Sequence, residues 1–358
     1  MKHLISRETQ PISTEQIKRS KMPSLQALML MALTALSGSG ALADPVEDFY
    51  KNKTITLAIG YSPGGTDDVW ARLVAKYMPK YLPGHPNIVS QNVPGAGSLL
   101  LTNQLYNTQP KDGTVMGLIN RGVPFEPLLG GKESRFDAMK FNYIGSPDRD
   151  ILACVVRNDA PVQKLDDLLK QEMIVGATGA GADSQTYPEI LSNLLKLKIK
   201  IVNGYPGSRD ILLAVERNEV HGGCVSYDTV ARDAMFRDKR SHVLFQAALE
   251  SDSRIPDVPL VTNLAQSENE KLALRLFMQR SMMGRPFVAP PGVPAERIKA
   301  LQDAFAQAMK DPDFIEEAKK SNVNIHYVSP AELLGIVKEA YDSPAPVVEL
   351  TKKAFGRQ

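Results

Sequence analysis

Cysteine is nearly missing: the 358 residues include only Cys154 and Cys224, which leaves no C-x-x-C redox pair and no zinc-ligand spacing. Neither charge dominates, with 42 Lys and Arg against 40 Asp and Glu. No basic run occurs beyond the N-terminus, so the face that neutralises phosphates is lacking and nucleic acid is excluded as a partner. The apolar stretch Leu25 to Leu36 falls short of the roughly 20 residues that a bilayer span requires. There is no G-x-x-x-x-G-K-[ST], H-E-x-x-H or G-x-S-x-G, which removes the simplest nucleotide-binding, metalloprotease and serine-hydrolase readings. Low-complexity tracts and repeats of roughly 20–50 residues are missing too.

What is present is the balance of a folded protein, 43% hydrophobic and 23% charged. At roughly 150 residues per domain, the length suggests two domains. The charge is unevenly placed. Residues 1–43 carry Lys2, Arg7, Lys18, Arg19 and Lys21 against Glu8 and Glu15, so the rest of the chain is close to neutral. Lys18, Arg19 and Lys21 precede the apolar stretch, which gives way to small residues and Ala41-Leu42-Ala43. That is the order of a cleaved export signal. Cleavage is expected after Ala43, with no following Cys to carry a lipid, and the mature protein is expected to be soluble and periplasmic. An oxidising compartment permits a Cys154–Cys224 disulfide; two separate buried thiols are the other reading.

From Thr54 the chain alternates Ile/Leu/Val-rich runs, Gly/Pro/Ser turns and helix-period segments. The pattern predicts strands at Thr54–Tyr61, Asn87–Val93 and Thr114–Arg121, with helices at Thr66–Tyr81 and Ser98–Asn107 between them. This is βαβαβ with a parallel sheet. Residues 122–142 are turn-rich, and a hydrophobic passage, Ile151–Arg157, leads into a second series. There helices are expected at Leu165–Lys170, Ser184–Leu197 and Ser208–Arg217. Strands are expected at Met173–Thr178, Lys200–Tyr205, Gly222–Ser226 and Val243–Gln246. Near the C-terminus come a strand at Met282–Ala289 and helices near 295–309, 312–320 and 330–353, with Pro294 and Pro312 as helix-start signals. Two α/β domains joined near 151–157 and 282–289 leave a cleft at their strand ends, where small ligands bind in open α/β sheets.

Three turns between a strand and a helix are candidates for that ligand. Tyr61-Ser62-Pro63-Gly64-Gly65-Thr66-Asp67-Asp68 lets the backbone approach a ligand and aims unpaired N–H groups and a positive helix end at it. Gly176 to Gln185 repeats the device, and so does Tyr205-Pro206-Gly207-Ser208-Arg209-Asp210. The competing reading is that each turn needs small residues and caps such as Ser62, Thr66 or Ser208 simply to fold. Three or four hydrogen bonds to a carboxylate, at about 1.5–3 kcal/mol each, supply the roughly 8 kcal/mol of micromolar binding after ordering costs. Enzyme signatures are weak. Gly176-x-x-Gly179-x-Gly181 is not G-x-G-x-x-G and lacks the acidic residue that holds a ribose. His221 and Cys224, three apart on a strand, point to opposite faces.

With these turns, Asn92-Val93-Pro94-Gly95-Ala96-Gly97, Pro110-Lys111-Asp112-Gly113 and Ala289-Pro290-Pro291-Gly292-Val293-Pro294, the chain resembles the Bug family of periplasmic solute-binding proteins. These are the receptors of tripartite tricarboxylate transporters. The likeness covers about residues 46–350. It implies a two-lobed, type II Venus-flytrap α/β fold, each lobe a mainly parallel sheet flanked by helices. Lobe 1 would comprise 44–150 and 282–358, and lobe 2 would comprise 151–281. It implies a small carboxylate ligand held by Tyr61, Ser62, Gly64, Gly65, Thr66 and Asp68 in the first lobe. In the second lobe the matching contacts are Thr178, Gly179, Ala180, Gly181, Ala182, Ser184 and Gln185, with Gly207, Ser208 and Asp210 on the far side. Arg121 and Arg209 are candidate counter-charges, against the reading that both are simply exposed. Ser62, Ala182, Gln185 and His221 depart from the family's usual residues, so a smaller acid, an aromatic acid or a monocarboxylate fits as well as a citrate-like ligand.

The resulting expectation is a monomeric receptor, without catalytic residues, cofactor or metal, that binds a small organic acid and delivers it to a membrane permease. The alternatives are an input protein for a sensor kinase and, from another class, a secreted α/β hydrolase or oxidoreductase.

Overall fold

A computed structural model describes residues 44–179, 182–321 and 323–356. The expected signal and its cleavage point lie outside the described residues, as do Ala180 and Gly181 of the second turn. The aliphatic runs become β1 (Thr54–Ile59), β2 (Asn87–Asn92), β3 (Val115–Leu118), β4 (Asn142–Gly145), β5 (Leu152–Arg157), β6 (Met173–Ala177), β7 (Ile199–Asn203), β8 (Gly222–Ser226), β9 (Ser241–Ala247) and β10 (Phe287–Ala289). Two five-stranded sheets result, ordered β2-β1-β3-β10-β4 and β7-β6-β8-β5-β9.

Both sheets are mixed. In the first, β1 runs parallel to β2 and β3, while β10 lies antiparallel between β3 and β4. In the second, β6 is parallel to β7 and β8, and β5 is antiparallel to β8 and β9. The Ile151–Arg157 passage is therefore a fully integrated strand. Its register sets Cys154 opposite Cys224, and a disulfide joins them in the buried core. In the chain-entropy model, closing that 70-residue separation is worth about 4 kcal/mol.

The helices are α1 (Pro45–Tyr50), α2 (Thr66–Tyr77), α3 (Leu99–Asn107), α4 (Asp183–Leu195), α5 (Ser208–Glu216), α6 (Tyr227–Arg232), α7 (Ala234–Arg237), α8 (Glu268–Met278), α9 (Ala295–Ala308), α10 (Pro312–Lys320), α11 (Pro330–Tyr341) and α12 (Ala345–Ala354). Three expectations are corrected here. The segment at Leu165–Leu169 is a 3-10 helix. The strand expected at Met282–Ala289 shrinks to Phe287–Ala289, because Gln279–Met283 forms a 3-10 helix that Gly284 ends at φ 55. The single helix expected at 330–353 breaks at Ser343-Pro344, since Pro344 cannot continue α11 and instead stands at the N-cap of α12. α8 went unread in the sequence although it carries a capping box, Ser267 with Glu270.

β1 is buried along most of its length, as expected of a strand covered on both faces. One face of the first sheet packs Ile55, Leu57 and Ile59 against Trp70, Val74, Leu301, Phe305 and Phe314 of α2, α9 and α10. A second core joins Val115 and Ile119 of the first sheet to Cys154, Val175, Phe245, Phe277 and Val347. This shared core binds the two sheets together. The two crossovers there, Ser146–Ile151 and Gly284–Pro286, lie against each other: the Arg285 N–H donates to Ser146 Oγ at 2.8 Å. No helix among the described residues is long and apolar enough to cross a membrane.

Candidate functional site

Parallel pairing brings the C-terminal ends of β1, β2 and β3 to one edge of the first sheet. It does the same for β6, β7 and β8 in the second. The loops that follow carry the candidate residues. In the first, Gly64 N–H donates to Asp68 Oδ2 at 2.9 Å, Arg72 grips Asp68 through Nε and Nη2, each at 2.9 Å, and Asn92 Nδ2 donates to Asp68 Oδ1 and to the Tyr61 carbonyl, each at 2.9 Å. Against the upward push of partial burial, the Arg72, Gly64 and Asn92 contacts hold the Asp68 carboxyl below its usual range. Asp68 thus braces the loop from inside.

The glycines of this loop differ in what they need. Gly64 sits at φ +84, which disfavours a side chain. Gly65 has an ordinary extended conformation, φ −76 and ψ 173, and a Cβ added there would meet nothing nearer than 4.0 Å. Neither packing nor backbone geometry demands glycine at 65.

The helices that begin at this edge are uncapped. The N-caps of α2, α4 and α5 are Gly65, Ala182 and Gly207, none with a side-chain cap hydrogen bond. The first N–H groups of a helix have no intrahelical acceptor, and together with the macrodipole they form an anion site. Ser184 Oγ is spent nearby, accepting from the Thr178 N–H at 3.1 Å and lying 3.2 Å from Thr178 Oγ1. Gln185 donates to Glu189 at 3.4 Å. Ser62 is exposed, and so are Arg209 and Asp210 of the third turn, while Gly207 and Ser208 are half-buried.

Between the two sheets lies a network that sequence reasoning missed almost entirely. Arg285, in the return crossover, donates from Nε to Asp67 Oδ1 at 3.1 Å, from Nη1 to Asp148, and from Nη2 to Asp150 Oδ2 at 3.1 Å. Burial works against its charge, but Asp148, Asp150 and Asp67 hold its pKa well above the usual value. Asp148 is pushed up to about 7, by burial first and by Asp150 and Asp228, with Arg285 opposing. Burial likewise raises Asp67 and Tyr61.

Arg121 is buried, not exposed. Its Nε donates to Asp183 Oδ2 at 2.8 Å and its Nη1 to the Asp150 carbonyl at 2.6 Å. It therefore ties the end of β3 to the first turn of α4. A second tie joins the first loop to α6: Thr66 Oγ1 lies 3.3 Å from Thr229 Oγ1 and accepts from Arg232 Nη2. The Ser226-Tyr227-Asp228-Thr229 turn that ends β8 faces Thr66, a role its place after a strand could have signalled. His221 is an ordinary structural histidine, its Nδ1 accepting from the Ile174 N–H at 3.1 Å. Among the described residues no group of His, Cys, Asp and Glu is arranged to hold a metal ion.

This architecture has known counterparts. The malate-bound protein MatC of Rhodopseudomonas palustris superposes with a TM-score of 0.65 at 19% identity, covering 84% of this chain and 99% of that one. The periplasmic binding protein BugD superposes with a TM-score of 0.65 at 20% identity, covering 85% and 98%. In sequence, the protein of the gbd 5′ region of Cupriavidus necator is 24% identical over 328 residues, 89% of this chain and 94% of its own length. The family model for the tripartite tricarboxylate transporter family receptor matches residues 70–351. BugD is a periplasmic binding protein with this two-lobed α/β fold, the matched family is one of receptors, not enzymes, and the chain belongs to it, the tripartite tricarboxylate transporter receptor family, the Bug proteins among them.

Proposed function

We propose that this chain is exported by its N-terminal signal, closes two lobes on a small organic acid, and presents the closed form to the permease of a tripartite transporter. The lobes are 44–150 with 282–358, and 151–281, turning about the paired crossovers. The observation that carries the reading is the set of helix starts at Gly65, Ala182 and Gly207, uncapped and gathered at facing sheet edges, with open space over Gly65. A carboxylate matches them, being acceptor-only and negative. The malate held by MatC is an acid of the kind these ends attract. Closure is a hinge motion driven by ligand contacts made to both lobes, and Arg121–Asp183 and Thr66–Thr229 are contacts of the closed form.

A thermal-shift screen of the exported protein against mono-, di- and tricarboxylates, aromatic acids and neutral controls tests this. A ligand of the native state adds about 2.7 kcal/mol at a hundredfold excess over Kd. A shift with one class of acid, the compound being recovered unchanged, is the expected result. Conversion of the compound, or shifts with neutral molecules only, would overturn the reading.

A further inference from the structure

Two of the uncapped helix starts carry acidic groups of the protein's own. Asp67 is the second residue of α2, which follows β1, and Asp183 is the first of α4, which follows β6 of the other sheet. Their side chains keep 24% and 16% of their surface open, so solvent reaches both. Ion pairs join them in one chain. Arg285 meets Asp67, Asp148 and Asp150, and Arg121 meets Asp150 at 3.5 Å and Asp183 at 2.8 Å. Four carboxylates thus share two guanidinium groups.

The surroundings do not restore neutrality. On the α6 side Asp228 and Asp252 share Arg254, at 2.7 and 2.6 Å, while Arg232 donates to Thr66 and to the Ser321 carbonyl. Arg280 lies among the rings of Phe125, Phe277 and Phe355, with Glu126 acting on it. The excess of negative charge also shows as missing contacts. Asp148 is 1% exposed, and its Oδ1, like Asp183 Oδ1, has no hydrogen-bond partner among the described residues. A buried carboxylate oxygen that no donor faces is costly while the group is ionised. Burial, then Asp150 and Asp183, push the Asp67 carboxyl up, with Arg285 and Arg121 opposing, and Asp67 in turn acts on the Tyr61 hydroxyl.

An acid that settles on these helix starts adds one more negative charge beside Asp67 and Asp183. Like charges in one site cannot all stay ionised, and the group best placed takes up a proton. Asp148 is sealed from solvent; Asp67 is half-open and stands at the start of α2 itself. We propose that the cleft takes its organic acid together with one proton, held by Asp67, so that binding is proton-linked and Asp67 sets its pH range. This rests on the receptor reading above and deepens it. A neutral Asp67 keeps an acceptor for Arg285 Nε and gains an O–H that can donate to the acid.

The test is calorimetric titration of the full purified chain, freed of co-purified small molecules by unfolding and refolding. The probes are malate, butyrate and benzoate, all ionised between about pH 6.5 and about pH 8.5. Titrations near neutral pH in Mops and in imidazole, whose heats of ionisation differ, count the protons exchanged. The wild type takes up on the order of one proton per acid bound, and its affinity falls by up to about tenfold per pH unit across the range. Asp67→Asn carries the neutral form throughout: the uptake vanishes, affinity varies by no more than about twofold, and at the upper end of the range it exceeds that of the wild type about tenfold or more. Asp148→Asn retains the uptake. Should Asp67→Asn fail to fold, the wild-type heats in the two buffers decide the proton linkage by themselves. Binding of an acid without proton uptake, or uptake that persists in Asp67→Asn, overturns the inference and leaves the receptor standing. Failure of every acid of the thermal-shift screen to bind, these three included, overturns the receptor reading and this inference with it.

Discussion

The helix starts of this protein differ in how they are capped. At the back, Ser267, Asp311 and Ser329 cap α8, α10 and α11 with their side chains, two of them in full capping boxes. At the cleft edge, Gly65, Ala182 and Gly207 leave α2, α4 and α5 uncapped. Capping typically contributes about 1 kcal/mol, so α2, α4 and α5 forgo stability that α8, α10 and α11 collect. Buried arginines divide in the same way: Arg285 is saturated by Asp67, Asp148 and Asp150, whereas two donors of Arg280 are unpaired among the described residues. Groups satisfied from within build the scaffold; in the receptor reading proposed above, the uncapped helix starts are left for a ligand.

The contrast breaks most visibly at Arg285. Arg285→Met strands the buried Asp148 and Asp150 and the half-buried Asp67 and is expected to lower stability by about 3–5 kcal/mol in urea unfolding. Arg280→Met, which removes a buried cation with two donors unpaired among the described residues, is expected to raise stability instead. The pH dependence comes next. Asp148 has a folded-state pKa of about 7, above that of an unfolded carboxyl, so the native state binds the extra proton between those values. Stability therefore rises as pH falls through 7 towards 5, with a slope of at most about 1.4 kcal/mol per pH unit. Asp148→Asn flattens that slope. Below pH 4 the trend reverses, because Asp311, held low first by Lys80 and then by Tyr81, loses its contribution.

Smaller effects sharpen the comparison. Gly65→Asp supplies the missing cap and a repelling charge, and is expected to cost at least tenfold in acid binding while stability changes by only a few tenths of a kcal/mol. Titration and urea unfolding of the same sample separate the two. Ser329→Ala, at the back, is expected to cost about 1 kcal/mol and leave binding unchanged.

Local features of the fold were legible in the sequence because they are written locally. The period of the apolar residues located β1 to β3 and β6 to β8, and glycine with small polar residues marked the turns that start α2, α4 and α5. What escaped depends on distant partners. The extent of the strand expected at Met282–Ala289 is one such feature: β10 is three residues long and is held between β3 and β4. Arg285 meets Asp148 and Asp150 across more than a hundred residues of chain, by the adjacency of two crossovers that no periodicity announces. The burial of Arg121 was hidden because its partner, Asp183, begins α4, the helix that follows β6 of the other sheet. In Arg280 the informative property is a missing contact, which only a packed structure reveals.

The central claim is that the uncapped front edge recognises a carboxylate. It is tested most directly by calorimetric titration of the wild-type protein with a bound acid and with that acid's uncharged amide. Binding of the acid with at least hundredfold loss for the amide is the predicted result. Equal affinity for the two would mean that the helix starts do not hold the ligand's charge, and would contradict the account.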